Sequence, residues 1–383
     1  MNNKTINKKD KFKIAVVCRT IGLEYDDRIR KECITLSKKA DIKIFANHVN
    51  NITIKGMTSY KIPYQTFTLY TRNIFPSAKF IFLKAIEFYI QIKKHLKNYD
   101  IIWAHEEYAF LFALLPVNKT IIWDHHEIPF RFEKPLLKNI FQLIEKKCKK
   151  MIHANEYRIE YLLGKRLITD ISKHITIRNF PDKYFIQSET TDEQYDIFKK
   201  WLNGSKYAYL QGISKKERHP LNSVMSILES TELKIIIIGD LDHNTKFILQ
   251  KKFGNEFHKR VYLRGMINQL NIPQYIKDSL FSIVLYDAVK PNNMYCEPNR
   301  MYQALSLEIP VIVGNNPPMA ELIKKYAIGV VLNDDGRDIE ELKLGINKLL
   351  KNRTLYVNNI KYCKNNIIWN AQENKLISLI GKS

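Results

Sequence analysis

A rhythm of short, almost wholly apolar runs separated by longer amphipathic stretches constrains this chain more than any other feature. The rhythm is maintained along most of the 383 residues. It is the pattern of strands alternating with helices around a parallel sheet. In the first half the strand candidates are FKIAVVC (12–18), DIKIFAN (41–47), YKIPY (60–64), DIIWA (100–104), TIIWD (120–124), KMIHAN (150–155) and ITIRN (175–179). Between the first two, DDRIRKECITLSKKA sets Ile29, Cys33 and Leu36 on one helical face, and Asp26 or Asp27 can cap its start. A longer helix is predicted over 77–98. No internal repeat is visible, which argues against solenoids and propellers.

The rhythm breaks once. NFPDKYFIQSETTDEQYD (179–196) is polar, carries Pro181 and has no periodic apolar pattern. It then restarts with YAYLQG (207–212), LKIIIIGD (233–240), RVYLRG (260–265), LFSIVLYD (280–287), IPVIVGN (309–315) and IGVVLND (328–334). We therefore expect an α/β fold of two Rossmann-like domains, 1–182 and 183–365. The closing segment 366–383 is expected to be a helix that packs back on the first domain. In open parallel sheets ligands bind beyond the carboxyl ends of the strands, so two facing sheets place the expected site in the cleft between them.

Composition removes several classes. No apolar stretch is long enough for a membrane-spanning helix. The basic start MNNKTINKKDKFK lacks the apolar region and small-residue cleavage site of a signal peptide, so a cytoplasmic protein is expected. Cys18, Cys33, Cys148, Cys296 and Cys363 are scattered, which suits neither a disulfide framework nor a zinc site. Neither a Walker A loop nor a GxGxxG fingerprint is present. The net charge of +22 suits polyanions, anionic lipid and phosphorylated substrates alike.

The strongest local signal is YCEPNRMYQALSLEIPVIVGNNPPMAELI (295–323). Glu297 or Asn299 can cap a helix with Pro298 in its first turn and Met301, Ala304, Leu305 and Leu307 on its buried face. The N-terminus of this helix lies at the ligand-bearing edge, where free N–H groups and the helix dipole suit a diphosphate. Arg300 adds a fixed positive charge, and Gln303, one turn on, can hydrogen-bond a ribose hydroxyl. An ordinary capped βα unit would show the same pattern. The loop QGISKKERHP (211–220) is the second signal. Gly212 permits a tight turn, and Lys215, Lys216, Arg218 and His219 follow at the end of the first strand of the second half.

DDRIRKECITLSKKADIKIF, DIIWAHE, IIWDHHEIP, YLQGISKKERHP, IIIIGD, VYLRGM and above all EPNRMYQALSLEIPVI resemble the family 4 glycosyltransferases of the GT-B fold, especially bacterial members that build surface polysaccharide. On that resemblance Arg300 stands where the family has Lys, and Gln303 where it has a ribose-binding Glu. Arg218 lies near the basic residue that contacts the donor diphosphate, and Glu308 replaces the usual Gly. The resemblance implies a donor site at Gly212, Lys216, Arg218, Glu297, Asn299, Arg300 and Gln303. It also implies retention of anomeric configuration, with the leaving phosphate taking the acceptor proton.

The first half is expected to hold the acceptor, with Gly22, Asp27 and Glu106 at the cleft and His105, His126 and Glu127 as catalytic or orienting groups; Asp124 points to the same edge. The expected partners are a nucleotide-sugar donor and a saccharide or lipid-linked acceptor. No cofactor, no metal and no nucleic acid are expected. Asp240-Leu241-Asp242 and Asp334-Asp335-Gly336 are read as turns. Basic residues interleave with aromatic ones in 72–97 and 131–150, which suits helices lying on an anionic membrane, at the inner face of the plasma membrane. Core helices with solvated lysines would read the same way. A nucleotide-sugar epimerase or hydrolase, or a non-enzymatic polyanion-binding protein, are the competing functions.

Overall fold

The computed structural model describes residues 11–20, 22–76, 80–106, 109–125 and 127–381. The chain divides into two compact units, one running to Arg178 and rejoined by Gln372–Ser383, the other spanning Asn179–Ala371. The boundary read from the sequence lay four residues later, at 182/183. In unit 1 the Gln372 side chain accepts from the Arg178 amide and donates to the Arg178 carbonyl, both at 2.7 Å, which ties the end of the chain to this unit.

The sheet of unit 1 holds β1 (Phe12–Thr20), β2 (Ala40–His48), β3 (Lys55–Met57), β4 (Pro63–Thr66), β5 (Ile101–His105), β6 (Thr120–Asp124), β7 (Lys150–His153) and β8 (His174–Thr176). Their order is β3-β4-β2-β1-β5-β6-β7-β8, and only the β3–β4 pair is antiparallel. The sequence reading had no β3 and began the next strand at Tyr60. Residues 58–62 instead form the turn of a hairpin: the Ile62 amide donates to Thr58 Oγ1 at 2.9 Å, and Lys61 takes φ +63°. Lys-Gly-Met has no apolar alternation to announce a strand. The helix predicted over 77–98 is found at Ile81–Leu96.

The sheet of unit 2 holds β9 (Tyr207–Gln211), β10 (Lys234–Ile238), β11 (Val261–Gly265), β12 (Ser282–Val284), β13 (Val311–Val313) and β14 (Gly329–Val331). All pairs are parallel, in the order β11-β10-β9-β12-β13-β14. The chain reverses its direction of travel across the sheet between β9 and β12. Such a switch point opens a crevice at the carboxyl edge.

The apolar runs follow from burial on both sheet faces. Ile236 and Ile238 of β10 pack with Tyr209, Met301 and Leu305. Ile235 and Ile237 pack with Val224, Ile227 and Ile346 on the opposite face. Each fully buried Ile contributes about 1.5–3 kcal/mol relative to exposure, so this one strand anchors both helix layers.

Gly329 shows how tightly β13 and β14 meet. A Cβ on Gly329 would lie 2.1 Å from the Val311 carbonyl oxygen, which belongs to the backbone and cannot turn away. Gly329→Ala should lower stability by about 1–3 kcal/mol in urea titration, against a surface Gly164→Ala control at an open position. A Gly329→Ala protein of unchanged midpoint would refute this packing.

Candidate functional site

The crevice of unit 2 is built from the loops that leave β9 and β12. β9 is followed by Gly212, whose φ of +58° favours glycine and whose amide donates to the Ile238 carbonyl at 2.8 Å. The loop then turns through the short 3-10 segment Lys216–Arg218 into a helix that starts with Pro220. The β12 loop is fastened to it, because the Asp287 amide donates to the Glu217 carbonyl at 2.7 Å.

Arg300 lies at the meeting point of these loops. It is in the first turn of the helix Asn299–Ser306 and is 5% exposed. Its Nη1 donates to the Gln211 and Gly212 carbonyls at 2.6 and 3.0 Å, and its Nη2 to the Leu285 carbonyl at 3.1 Å. One guanidinium thus clamps the carboxyl ends of β9 and the β12 loop. Arg218 also donates to the Gly212 carbonyl. Both guanidinium carbons lie over the Tyr286 ring, at 4.8 Å for Arg300 and 5.3 Å for Arg218. A Cβ on Gly212 would come within 3.2 Å of Arg218 Nη1, so the glycine also makes room for the pair. Burial, reinforced by the Arg218 charge, lowers the Arg300 pKa against the opposing pull of Tyr286, yet a guanidinium stays charged at neutral pH.

Two cations held this close without a carboxylate form an anion site. Buried polar atoms at this edge without a hydrogen-bond partner among the described residues include Arg218 Nε, Arg300 Nε and Gln303 Oε1. Unsatisfied buried polar atoms are rare in folded proteins, so a cluster of them marks where a ligand can bond. Gln303 is oriented by its Nε2, which donates to Gln269 Oε1 at 3.0 Å.

The other donor-side candidates are placed as follows. Lys216 is exposed. Pro298, not Glu297 or Asn299, is the residue at the helix N-cap, and no side chain caps that end. Asn299 Oδ1 instead accepts from Asn179 Nδ2, and Glu297 is buried. Leu307, at the C-cap, is half-buried and packs against the same core as Met301, Ala304 and Leu305. Glu308 has φ +65°, which accounts for glycine at this position in the resembling family. Here the side chain pairs with Lys364 at 2.7 Å and Lys361 at 3.7 Å.

The sequence reading did not single out Tyr286, Gln269 or the Asp335 network. Asp335 is 1% exposed and accepts from the Ala288 amide at 3.0 Å and from Arg337 at 2.6 and 2.8 Å. Tyr286 carries no local signal beyond its place at the end of an apolar run. Asp242 caps the helix His243–Phe253 by accepting from the Thr245 amide at 3.0 Å, and Asp334 accepts from the Gly336 amide at 2.8 Å in its turn.

In unit 1 the titratable residues at the ends of β5 and β6 form a buried network. Arg28 grips Asp124 with two bonds of 2.5 and 2.9 Å, donates to the Ile177 carbonyl at 2.9 Å and lies 3.1 Å from Glu32. Trp103 Nε1 donates to Glu32 at 2.8 Å. His105 is 1% exposed, with its two ring nitrogens 3.4 Å from Glu32 and from Asp124. Burial alone would lower the Arg28 pKa, but the charges of Asp124 and then Glu32 outweigh it and raise it. Burial, then the Asp124 charge, pushes Glu32 well above the usual carboxylate range. Glu32, His105 and Asp124 offer ligand atoms within 4.8 Å of one another, the composition of a metal site. Arg28 already lies against both carboxylates, so a divalent ion would have to displace it.

Asp27 is buried and pairs with Arg30 at 2.7 Å and Lys31 at 2.6 Å, while Asp26 caps the helix by accepting from Ile29 at 3.2 Å. Gly22 is half-buried, and its amide donates to Thr20 Oγ1 at 3.0 Å. Glu106 takes φ +61°, and its carbonyl accepts from Trp123 Nε1 at 3.1 Å. Glu127 is exposed. His126 lies outside the described residues. A further buried chain was also missed: His153 Nε2 meets His174 Nδ1 at 2.8 Å, and His174 Nε2 meets Glu145 at 3.0 Å.

Residues 211–366 match the family model described as glycosyl transferases group 1. No curated protein matches the sequence. Solved structures share the fold along nearly the whole chain. Sucrose-phosphate synthase from Thermosynechococcus elongatus has a TM-score of 0.72 at 13% identity, covering 96% of this chain and 98% of that one. Anabaena HepE in complex with UDP-glucose has the same TM-score, identity and coverages. A glycosyltransferase from Rickettsia africae gives a TM-score of 0.69 at 16% identity, covering 98% and 100%.

The Asp27 pairs predict a pH signature. Burial raises the Asp27 pKa, but Lys31 and then Arg30 outweigh it and hold it below the ordinary 3.8. A folded pKa below the unfolded one adds stability that is present above the unfolded value and lost as pH falls through the folded one. Asp27→Asn should therefore cost about 3–5 kcal/mol near neutrality, as for a broken buried pair. The gap to the wild type in denaturant titrations should narrow only below about pH 4. A gap that is independent of pH down to about pH 2 would show that the charge contributes nothing.

Proposed function

We propose that this chain, a glycosyltransferase of the GT-B fold with a group 1 domain over 211–366, moves a sugar from a nucleotide-sugar donor to a saccharide or lipid-linked saccharide acceptor. We place it in bacterial surface polysaccharide synthesis, at the inner face of the plasma membrane. The observation that carries the reading is the Arg218–Arg300 pair over Tyr286 at the switch point of unit 2. HepE, of the same fold, binds UDP-glucose, which supports a nucleoside diphosphate as the leaving group.

The acceptor hydroxyl oxygen bonds to the anomeric carbon as the bond from that carbon to the diphosphate breaks. The hydroxyl proton passes to the departing phosphate oxygen, and configuration is retained. Arg218 and Arg300 stabilise the charge that grows on the diphosphate, and their fixed positions mean little reorganisation during reaction. Gln303 accepts from a ribose hydroxyl. In unit 1 the burial of His105 between two carboxylates supports an orienting role for that edge over direct proton abstraction.

Thermal unfolding with UDP, GDP, CMP, ADP and their sugar forms tests the donor site. One nucleotide at about 100 times its Kd should stabilise by about 2.7 kcal/mol and raise the midpoint by several degrees. Arg218→Ala should weaken that nucleotide by roughly 10- to 100-fold, the loss of a charge-assisted hydrogen bond. No response to any nucleotide, with a salt-sensitive response to DNA, would replace this reading by a polyanion-binding one. The anomeric configuration of the product by NMR tests retention, and donor breakdown that ignores acceptor would instead support a hydrolase or epimerase.

A further inference from the structure

The helix Ile81–Leu96 has two apolar faces. Ala85, Phe88, Ile92 and Leu96 are buried in unit 1. On the other side Phe82, Leu83, Ile86 and Ile90 are 42–54% exposed. At 100° per residue these four fall within an arc of about 140° that also holds Tyr89, Lys93, Lys94 and Lys97. The face is therefore an apolar stripe of about 12 Å that runs into a basic end.

That basic end opens into a concavity. Tyr89, Lys93, Lys94, Lys97, Asn118 and Lys119 line a cavity of about 470 Å3. The helix leads into β5 and residues 116–119 lead into β6, so the cavity is at the amino edge of the sheet, opposite the edge that carries His105 and Asp124. No carboxylate pairs with any of the four lysines among the described residues. Lys119 is held in place by donating to the Lys97 carbonyl at 3.0 Å. Glu87, at the margin of the stripe, is turned to the preceding short helix and accepts from the Tyr70 and Thr71 amides at 2.6 and 2.8 Å.

We infer that this face binds an anionic phospholipid, with the headgroup phosphate in the lysine cavity and the acyl chains against Phe82, Ile86 and Ile90. Four uncompensated lysines supply the charge complementarity. The adjoining stripe supplies the apolar contact, on the scale of the 5–10 Å to which interfacial helices sink. Inorganic phosphate alone would leave the stripe in water. The inference deepens the membrane placement proposed above, and it is independent of donor binding.

Co-sedimentation of the full chain with vesicles tests it, using 3:1 phosphatidylcholine:phosphatidylglycerol against phosphatidylcholine alone. Binding to the anionic vesicles is expected, and Lys94→Ala/Lys97→Ala should weaken it about 25-fold, at about fivefold per lysine. Ile86→Ser/Ile90→Ser should also weaken it while the charge stays unchanged. All four side chains are exposed, so the wild-type thermal midpoint should persist. Lys251→Ala/Lys324→Ala removes the same charge from unit 2 and should change binding by less than threefold. An equal loss in that control would reduce the site to net charge and overturn the proposal. So would absence of binding, or full competition by millimolar inorganic phosphate at constant ionic strength. Nucleotide-induced stabilisation measured without vesicles fails only if the donor reading fails, so the two outcomes are separable.

Discussion

The second unit depends on one guanidinium. Arg300 donates to three backbone carbonyls, at Gln211, Gly212 and Leu285, at the carboxyl ends of the two strands that flank the switch point of the sheet. In a parallel sheet those carbonyls lie beyond the last ladder bonds and would otherwise need water. The clamp costs the burial of a full charge, which is expensive without a carboxylate partner. Tyr286 offsets part of that cost through its ring face, and the carbonyl dipoles offset more. Because Arg300 is fixed by the sheet and Arg218 by the Gly212 carbonyl, the positive pair is in place before any ligand arrives. Preorganised charge of this kind is what stabilises a departing diphosphate.

Unit 1 solves a similar problem differently. Its strand ends carry carboxylates and histidines instead of free cations, and Arg28 neutralises them from within. The result is a buried, charge-paired edge in which the ring nitrogens of His105 lie 3.4 Å from Glu32 and from Asp124. Removing one member of such a network leaves a buried charge without its partner, which costs far more than the net worth of the intact pair. Unit 2 thus presents unspent positive charge, and unit 1 a buried network of paired charges.

Much of this was legible in the sequence. Strands buried on both faces are continuous apolar runs, so β5, β6, β10 and β13 are visible as such. Arg300 and Gln303 stand out by their place in the first turns of a helix at the ligand-bearing edge and Arg218 by its place in the basic loop after β9, and the family resemblance covers all three. The rest was hidden for physical reasons. β3 has no apolar face and exists only by pairing with β4. The fork of Arg28 joins residues 96 apart in sequence, beyond any local pattern. Tyr286 is one aromatic among many until the sheet brings it under two arginines. Glu308, which the sequence left without an account, is explained by a backbone angle, with Lys361 and Lys364 alongside. Which apolar residues of the helix Ile81–Leu96 face outward was beyond a pattern in which both sides are apolar.

The central claim is that the Arg218–Arg300 pair receives a nucleoside diphosphate. A crystal structure of the chain with a bound nucleoside diphosphate tests it most directly. The account predicts diphosphate oxygens within hydrogen-bond distance of both guanidinium groups and a ribose hydroxyl on Gln303 Oε1. A nucleotide seated elsewhere, with Arg218 Nε, Arg300 Nε and Gln303 Oε1 still lacking partners, would contradict it.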